Sequence, residues 1–312
     1  MSAPKRGSQA VLAGHLHRLA VLIAAGLAPR AAWAHAAAAS SDSTLTAVVA
    51  AIDRGVDIGD ALESAARALS ERDEAAAWRS LAAAWRVAIA SGAPLAPALR
   101  GFAEGLRDRE AARRDIRIAL AGPRATARIV MVLPAVAVLL GLLMGVDLLG
   151  TVATPVGAGA IGGGLLLVVV ARRWMRRLLR AAEPPPPTVG LALDLLAVAA
   201  GGGGSPEAAA ALVVSELERA QLITRDAAAH PGFGSLRDLV RLSRAAGAPL
   251  GELARAEAAE ERASARAEAR EMAEQLAVRL MLPLGACILP AFLLLGVVPM
   301  LIGLLSSTTE LW

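Results

Sequence analysis

The chain has 312 residues, of which 56% are apolar and only 3% aromatic, and its mean hydropathy is +0.53. Few soluble enzymes have such a composition, so membrane spans are expected. The formal charge of +4 comes from 32 basic and 28 acidic residues that are interspersed, which argues against a nucleic-acid-binding face.

The residues that common catalytic and metal sites require are scarce. Lys5 is the only lysine, and the Gly-rich tract 201–204 has no lysine after it, so the chain has no Walker A motif. Cys287 is the only cysteine, which excludes intrachain disulfides and Cys-based zinc clusters. The motifs Gly-x-Ser-x-Gly and His-Glu-x-x-His are absent. We therefore predict no enzymatic activity, no cofactor and no metal site.

The N-terminus has two interpretations. A basic start, the apolar run 19–28 and the Ala-His-Ala at 34–36 outline a signal peptide. Alternatively, four apolar residues have the spacing of an amphipathic helix with one apolar stripe: Leu12, Leu16, Leu19 and Ile23. Export would put the arginines that precede the long uncharged run 129–146 outside the cell, which disagrees with the rule that basic loops stay inside.

A first polar region at 10–125 is rich in Ala and Leu, which favours helices. Its amphipathic segments are separated by glycine turns, which we interpret as structural: Gly26, Gly55, and Gly92 with Pro94 and Leu95. Glycine can adopt the left-handed conformation that ends a helix, and proline suits the first turn of the next one. The pattern predicts antiparallel helix hairpins.

Four acidic residues cluster around the second of these turns: Asp53, Asp57, Asp60 and Glu63. A site for a hard cation such as calcium is conceivable, because such ions prefer oxygen ligands. Helix caps and a solvated face are favoured instead, because Gly55 breaks the helix between them, and Asp57 is the expected N-cap.

Three long uncharged runs predict transmembrane helices at 128–147, 153–172 and 280–305. Eighteen residues of helix span roughly 27 Å, enough for the hydrocarbon core. Arginines precede the first span, follow the second and precede the third. The turn around Asp147 and the C-terminal tail contain no basic residue. The predicted topology has both polar regions in the cytoplasm and the C-terminus outside.

A second polar region at 185–279 follows a stiff proline linker. Its turn with Gly247, Pro249 and Leu250 matches the turn at Gly92, and each turn leads into a charged helix and then a span. This indicates an internal repeat of two similar helical bundles. The charged helix after Leu250 is either a solvated face with i,i+4 pairs or a docking surface.

Together these features resemble the type II secretion system F family, and within it the tight-adherence (Flp pilus) TadB/TadC-type members. The resemblance rests on the two turns, the helices after them, and the tail 282–305 with Pro283, Pro290 and Pro299. It covers about 10–305 in two copies and implies an all-α membrane protein, with two cytoplasmic helical bundles and three spans. Against the family pattern, residues 36–44 look like a flexible insertion.

The resemblance implies a non-catalytic, multi-pass platform in the inner membrane. Its partners would be a cytoplasmic secretion ATPase, pilin subunits, an identical or paralogous F-family subunit in an oligomer, and the lipid bilayer, with no nucleic acid. Five arginines offer repeated positive charge to an acidic partner: Arg107, Arg109, Arg113, Arg114 and Arg117. The alternative is a small oligomeric transport permease, which is disfavoured because the spans carry no charge at their midplane.

Overall fold

A computed structural model of the protein describes residues 8–143, 154–181, 189–223 and 231–301. Every regular element in these ranges is a helix, which confirms the all-α prediction. The first part of the chain forms α1 (Ser8–Ala24), α2 (Pro29–Ala38), α3 (Ser43–Asp53), α4 (Ile58–Ala68), α5 (Arg72–Ser91), α6 (Leu95–Ala119) and α7 (Ala121–Leu143). The second part forms α8 (Pro155–Ala181), α9 (Leu191–Ala200), α10 (Pro206–Arg219), α11 (Pro231–Ala246), α12 (Leu250–Arg279) and α13 (281–301).

The glycine turns lie between helices. Gly26, Gly55, Gly92 and Gly247 have φ values of 93°, 89°, 73° and 65°, a region that residues with a Cβ rarely adopt. α6 and α12 begin directly after the prolines of their turns.

The segment 36–44 differs from the flexible insertion that the sequence suggested. Its first three residues complete α2, because alanine favours helix. Asp42 then caps α3, and its carboxylate accepts a hydrogen bond from the Thr44 N–H at 2.9 Å.

The described residues of 8–113 and 189–266 form one compact unit. A single hydrophobic core runs through it, to which α1–α6 contribute Leu16, Trp33, Leu81 and Leu106, and the later helices contribute Leu193, Leu196, Val213 and Ala254. α5 is the central helix, since α4, α9 and α10 all pack against it. The sequence predicted two similar bundles packed against each other, and in the structure the apolar faces of α9 and α10 share the core of the first region. The internal repeat is not confirmed and stays a prediction.

α1 contributes to this core through the stripe that the amphipathic interpretation predicted. Leu12, Leu16 and Leu19 are buried, and Ile23 packs against them at the edge. The Trp33 and Trp85 rings meet edge to face, with centroids 5.9 Å apart.

The described residues of 114–181 and 267–301 form a second compact unit. It contains the apolar helices Arg124–Leu143 and Pro155–Leu178, and a third candidate span in the long helical stretch Leu250–Leu301. These confirm the prediction of three candidate spans. Residues 144–147, 153 and 302–305 of the predicted spans lie outside the described residues.

Small residues allow close packing among the helices of this second unit. A Cβ placed on Gly296 of α13 would lie 2.8 Å from the Ala137 Cβ of α7, and one on Gly164 of α8 would lie 2.5 Å from Leu295 Cγ. Such contacts are typical of membrane helices, where small residues let backbones approach. α13 also contains two π-helical turns, Leu284–Ile288 and Leu293–Val297, which flank Pro290.

Candidate docking surface and ion-pair network

The five arginines predicted to bind a partner lie on α6, and their surroundings differ. In the first unit, Arg107 is exposed and forms no ion pair with any other described residue. Arg109 is buried, and Arg113 pairs with Asp73 of α5 at 3.0 Å. In the second unit, Arg114 and Arg117 are exposed. The structure therefore leaves three of the five side chains on the surface and uses two within the first unit.

Arg109 belongs to a buried ion-pair network centred on Asp194 of α9. The Nη1 of Arg262, on α12, donates to both carboxylate oxygens of Asp194 at 2.9 and 2.8 Å. Arg109 Nη2 lies 4.0 Å from the same carboxylate and donates to the Val189 carbonyl at 3.4 Å. The network holds α6, α9 and α12 together through charge.

Burial shifts the pKa values of Asp194 and Arg109, the two central groups of this network, in opposite directions. Burial raises the pKa of the Asp194 carboxyl, and the guanidinium of Arg262 opposes that rise. Burial lowers the pKa of Arg109 to about 10, against the attraction of Asp194. Arg109 therefore stays protonated at neutral pH, which keeps the ion pair with Asp194.

A second network surrounds Arg86 of α5, whose side chain is 8% exposed. Arg86 Nε donates to Glu216 of α10 at 2.7 Å, and its Nη1 donates to Glu63 of α4 at 3.1 Å and to the Gly59 carbonyl at 3.2 Å. Gly59 makes room for this side chain, since a Cβ there would lie 2.7 Å from Arg86 Cγ. Arg219 extends the network to Asp60 at 3.1 Å.

The predicted acidic cluster is thus divided among separate roles. Asp57 caps α4 and accepts from the Gly59 N–H at 2.8 Å. Asp60 and Glu63 pair with Arg86, while Asp53 is exposed. Within the described part of the chain, no three or more His, Cys, Asp or Glu side chains come together as a metal site.

Three arginines and five glutamates of α12 have different surroundings. Arg262 and Arg266 face acids of other helices in the first unit, and Arg266 lies 3.3 Å from Asp108. In the second unit, Arg270 lies 2.6 Å from Asp115. Glu257, Glu260, Glu268, Glu271 and Glu274 are exposed. These three arginines therefore serve helix packing, and these five glutamates lie on the solvated side of the helix.

The sequence analysis did not predict that Arg86, Asp194 and Glu216 form ion pairs that connect helices of the first unit. Two of them carried a readable signal: Arg86 is the only charge in the run 81–91, and Asp194 is the only charge in α9. A lone charge in an apolar helix requires a partner, because an unpaired buried charge is costly. The identity of each partner was not readable.

A cavity of about 150 Å³ opens next to the Asp194 network. Its walls are mainly apolar and come mostly from α6, α9 and the turn before α6, including Pro94, Pro97, Phe102, Leu195 and Asp194. Ala84 of α5 and Arg255 of α12 also line it. Both oxygens of Asp194 already accept hydrogen bonds from Arg262. The cavity is therefore an apolar recess rather than a site of acid–base chemistry.

Residues 16–143 match the family model described as type II secretion system (T2SS), protein F. These residues are therefore similar to a T2SS protein F domain, and they are called the T2SS F domain below. The T2SS F domain begins in α1 and ends with α7, so it includes the first polar region and the first candidate span. No curated protein and no solved structure matches the chain.

T2SS F proteins are inner-membrane platform proteins of secretion and pilus machines and are generally non-catalytic. The T2SS F domain and the three candidate spans together indicate an inner-membrane protein. The match ends at Leu143, so the second polar region lies beyond it.

Proposed function

We propose that this protein is a non-catalytic assembly platform of a tight-adherence (Tad/Flp) pilus machine in the inner membrane. The observation that carries the proposal is a T2SS F domain that continues into a candidate membrane span. Its proposed partners are a cytoplasmic secretion ATPase, pilin subunits and further F-family subunits, identical or paralogous. The work of ATP hydrolysis would come from the ATPase, and this chain would anchor it.

Docking of the ATPase is assigned to the exposed arginines of α6. Arg107 is the best candidate in the first unit, because it is solvent-exposed and no described carboxylate pairs with it. A guanidinium can bind a carboxylate through two parallel hydrogen bonds, which suits an acidic partner surface. Arg109 and Arg113 are better explained as internal, since each interacts with an acid of the same unit.

The test is co-purification of the ATPase with the full-length protein from detergent extracts. Arg107→Glu and Arg114→Glu are each expected to reduce recovery of the ATPase while the variant stays in the membrane. Arg237→Glu is the matched control, since Arg237 is exposed, lies on α11 and forms no ion pair with a described residue. Undiminished recovery with both α6 variants, or ATP hydrolysis by this chain alone, would contradict the proposal.

Arg113 needs a different variant, because its loss also removes the ion pair with Asp73. The charge swap Asp73→Arg with Arg113→Asp restores the pair in reverse. If Arg113 acts only within the fold, Arg113→Asp lowers ATPase recovery and the swap restores it. Continued loss in a well-folded swap would show that the partner binds Arg113 itself.

The proposed topology places both polar regions in the cytoplasm and the C-terminus outside, on the strength of the arginine distribution. Single cysteines at Ser41, Ser215 and Thr308, in a Cys287→Ala background, can be treated with an impermeant thiol reagent on intact cells. Only the cysteine at Thr308, which lies outside the described residues, is expected to react. Reaction of the cysteine at Ser41 would show that the first polar region lies outside the cell, which would contradict the proposed topology.

A further inference from the structure

Unpaired arginines are concentrated at one end of the helices α7 and α8. Six of them are exposed: Arg124, Arg128, Arg172, Arg173, Arg176 and Arg177. Neither α7 nor α8 contains an acidic residue. Each helix continues from these arginines into its long apolar stretch.

The six arginines surround one layer of the second unit. A small buried cluster contains Ala127 of α7, Met175 of α8, Leu276 of α12, and Leu280, which follows α12 directly. Arg124 and Arg128 flank Ala127 on α7, and the four arginines of α8 flank Met175. The positive charges therefore lie at the same level, around a common core. We call this set the arginine layer.

The arginine layer differs from three arginines of α12 that have acidic partners. Arg262, Arg266 and Arg270 each lie within 3.3 Å of an aspartate. Within the described ranges, no carboxylate lies within ion-pair distance of any arginine of the layer. The fold thus neutralises these three arginines of α12 and leaves the six of the layer without counter-charge.

The surroundings of the layer indicate what supplies the counter-charge. On the span side, exposed apolar side chains continue directly from it, such as Ile129 at 72% exposed on α7 and Leu166 at 64% on α8. Trp174 lies within the layer itself and is 38% exposed, as is typical at the boundary between headgroups and acyl chains. A ligand that joins a phosphate anion to a long apolar tail matches both surfaces.

We infer that the arginine layer is a binding site for acidic phospholipids. The phosphodiester of each headgroup accepts hydrogen bonds from guanidinium groups, and the acyl chains cover the apolar faces of α7 and α8. Free phosphate would satisfy the arginines but leave those faces uncovered. The inference concerns the lipid around the second unit and is independent of ATPase docking.

The experiment measures lipid binding to the full-length protein in detergent by native mass spectrometry. Phosphatidylglycerol is expected to bind more tightly than phosphatidylcholine, and to remain bound at millimolar inorganic phosphate. The variant with Arg172, Arg173, Arg176 and Arg177 all changed to Gln is expected to lose at least about tenfold in affinity for phosphatidylglycerol, because each arginine near an anionic surface contributes about fivefold. Phosphatidylcholine binding should change little.

The matched control removes the same charge elsewhere, by changing Arg54, Arg72, Arg100 and Arg237 to Gln. These four are exposed in the first unit and form no ion pair with a described residue, so phosphatidylglycerol binding should be unchanged. Equal binding of the two lipids by the wild-type protein would overturn the inference whatever the variants do. So would equal losses in the two quadruple variants, or displacement of the lipid by inorganic phosphate. If the α8 variant unfolds, Arg124→Gln with Arg128→Gln provides the same test on α7.

Discussion

At Gly202, the turn between α9 and α10 touches the turn between α5 and α6. A Cβ on Gly202 would lie 1.9 Å from the Ser91 carbonyl oxygen and 2.6 Å from its carbon. These are backbone atoms and cannot move without shifting the end of α5. The glycine tract 201–204 thus has a packing role, which agrees with the absence of a phosphate-binding lysine after it.

Gly202→Ala is therefore expected to destabilise the protein by about 1–3 kcal/mol, the usual cost of overpacking. Gly204→Ala is the control, because no atom lies within 4 Å of its Cβ position. Chemical or thermal unfolding of the full-length protein in detergent measures both. Equal free energies of unfolding for the two variants would show that the α9–α10 turn can move away from the α5–α6 turn without loss of stability.

His15 is a second residue whose surroundings predict a measurable effect. It is 8% exposed, its Nε2 lies 3.0 Å from the Ser40 hydroxyl, and its Nδ1 lies 3.8 Å from the Asp42 carboxylate. Burial lowers the pKa of His15, with Asp42 opposing and Arg18 adding to the effect. His15 therefore binds a proton more readily in the unfolded chain than in the folded protein.

Stability contributed by neutral His15 is consequently present above the unfolded pKa of about 6.5 and is lost as the pH falls below it. The melting temperature should decrease between about pH 7.5 and pH 5.5, and His15→Gln should make that decrease smaller. His17→Gln is the control, since His17 is exposed on the same helix. An unchanged pH dependence in His15→Gln would contradict this role for burial.

At the scale of elements, α13 shows how an apolar helix packs in the second unit. Pro290 cannot donate the backbone hydrogen bond of a regular helix, and the π-helical turns on either side absorb the irregularity. Gly296 then brings α13 close to Ala137 of α7, where the two positions leave no room for another carbon. Hydropathy identifies such a helix, but the close contact determines its neighbour.

Gly296→Ala is expected to destabilise the second unit by about 1–3 kcal/mol, because the Ala137 Cβ is fixed to its backbone and cannot rotate away. Gly285→Ala on the same helix is the control, with no atom within 4 Å of its Cβ position. A thermal shift of the full-length protein in detergent compares the two. Similar melting temperatures would mean that α7 and α13 pack less closely than the structure shows.

At the scale of the whole molecule, the networks of Arg86 and Asp194 explain why the two polar regions form one unit. Arg86 of the first region pairs with Glu216 of the second, 130 residues away, and Arg109 of the first region lies 4.0 Å from Asp194 of the second. Each pair connects a helix of one polar segment to a helix distant in sequence, inside a continuous hydrophobic core. A fragment limited to 10–125 would lose the cover that α9 and α10 give to α5, so stability experiments require the full chain.

Arg86→Met is expected to cost about 3 kcal/mol, because it leaves the partly buried carboxylates of Glu63 and Glu216 with only exposed arginines, Arg67 and Arg219, as counter-charges. Arg241→Met is the control: Arg241 pairs with Asp238 on the exposed side of α11, and surface pairs contribute less than about 1 kcal/mol. Adding Glu216→Gln to Arg86→Met should recover part of the loss. Equal effects of Arg86→Met and Arg241→Met on unfolding would rule out a stabilising network.

The sequence by itself determined the features that depend on neighbouring residues. Uncharged runs of sufficient length indicated three spans, and the spacing of apolar residues indicated the helices. The glycine turns could be placed because a helix end at Gly92 or Gly247 needs a backbone conformation that only glycine adopts easily. Composition and the two turns were also enough to suggest the T2SS F family.

Only the tertiary structure decided how these elements combine. It placed α9 and α10 on the core of the first region, and it assigned Arg109 and Arg113 to internal ion pairs rather than to an open docking surface. The physical reason is that burial and ion pairing depend on residues far apart in the chain. An arginine on a helix looks the same in sequence whether its partner is a distant aspartate, a lipid headgroup or water.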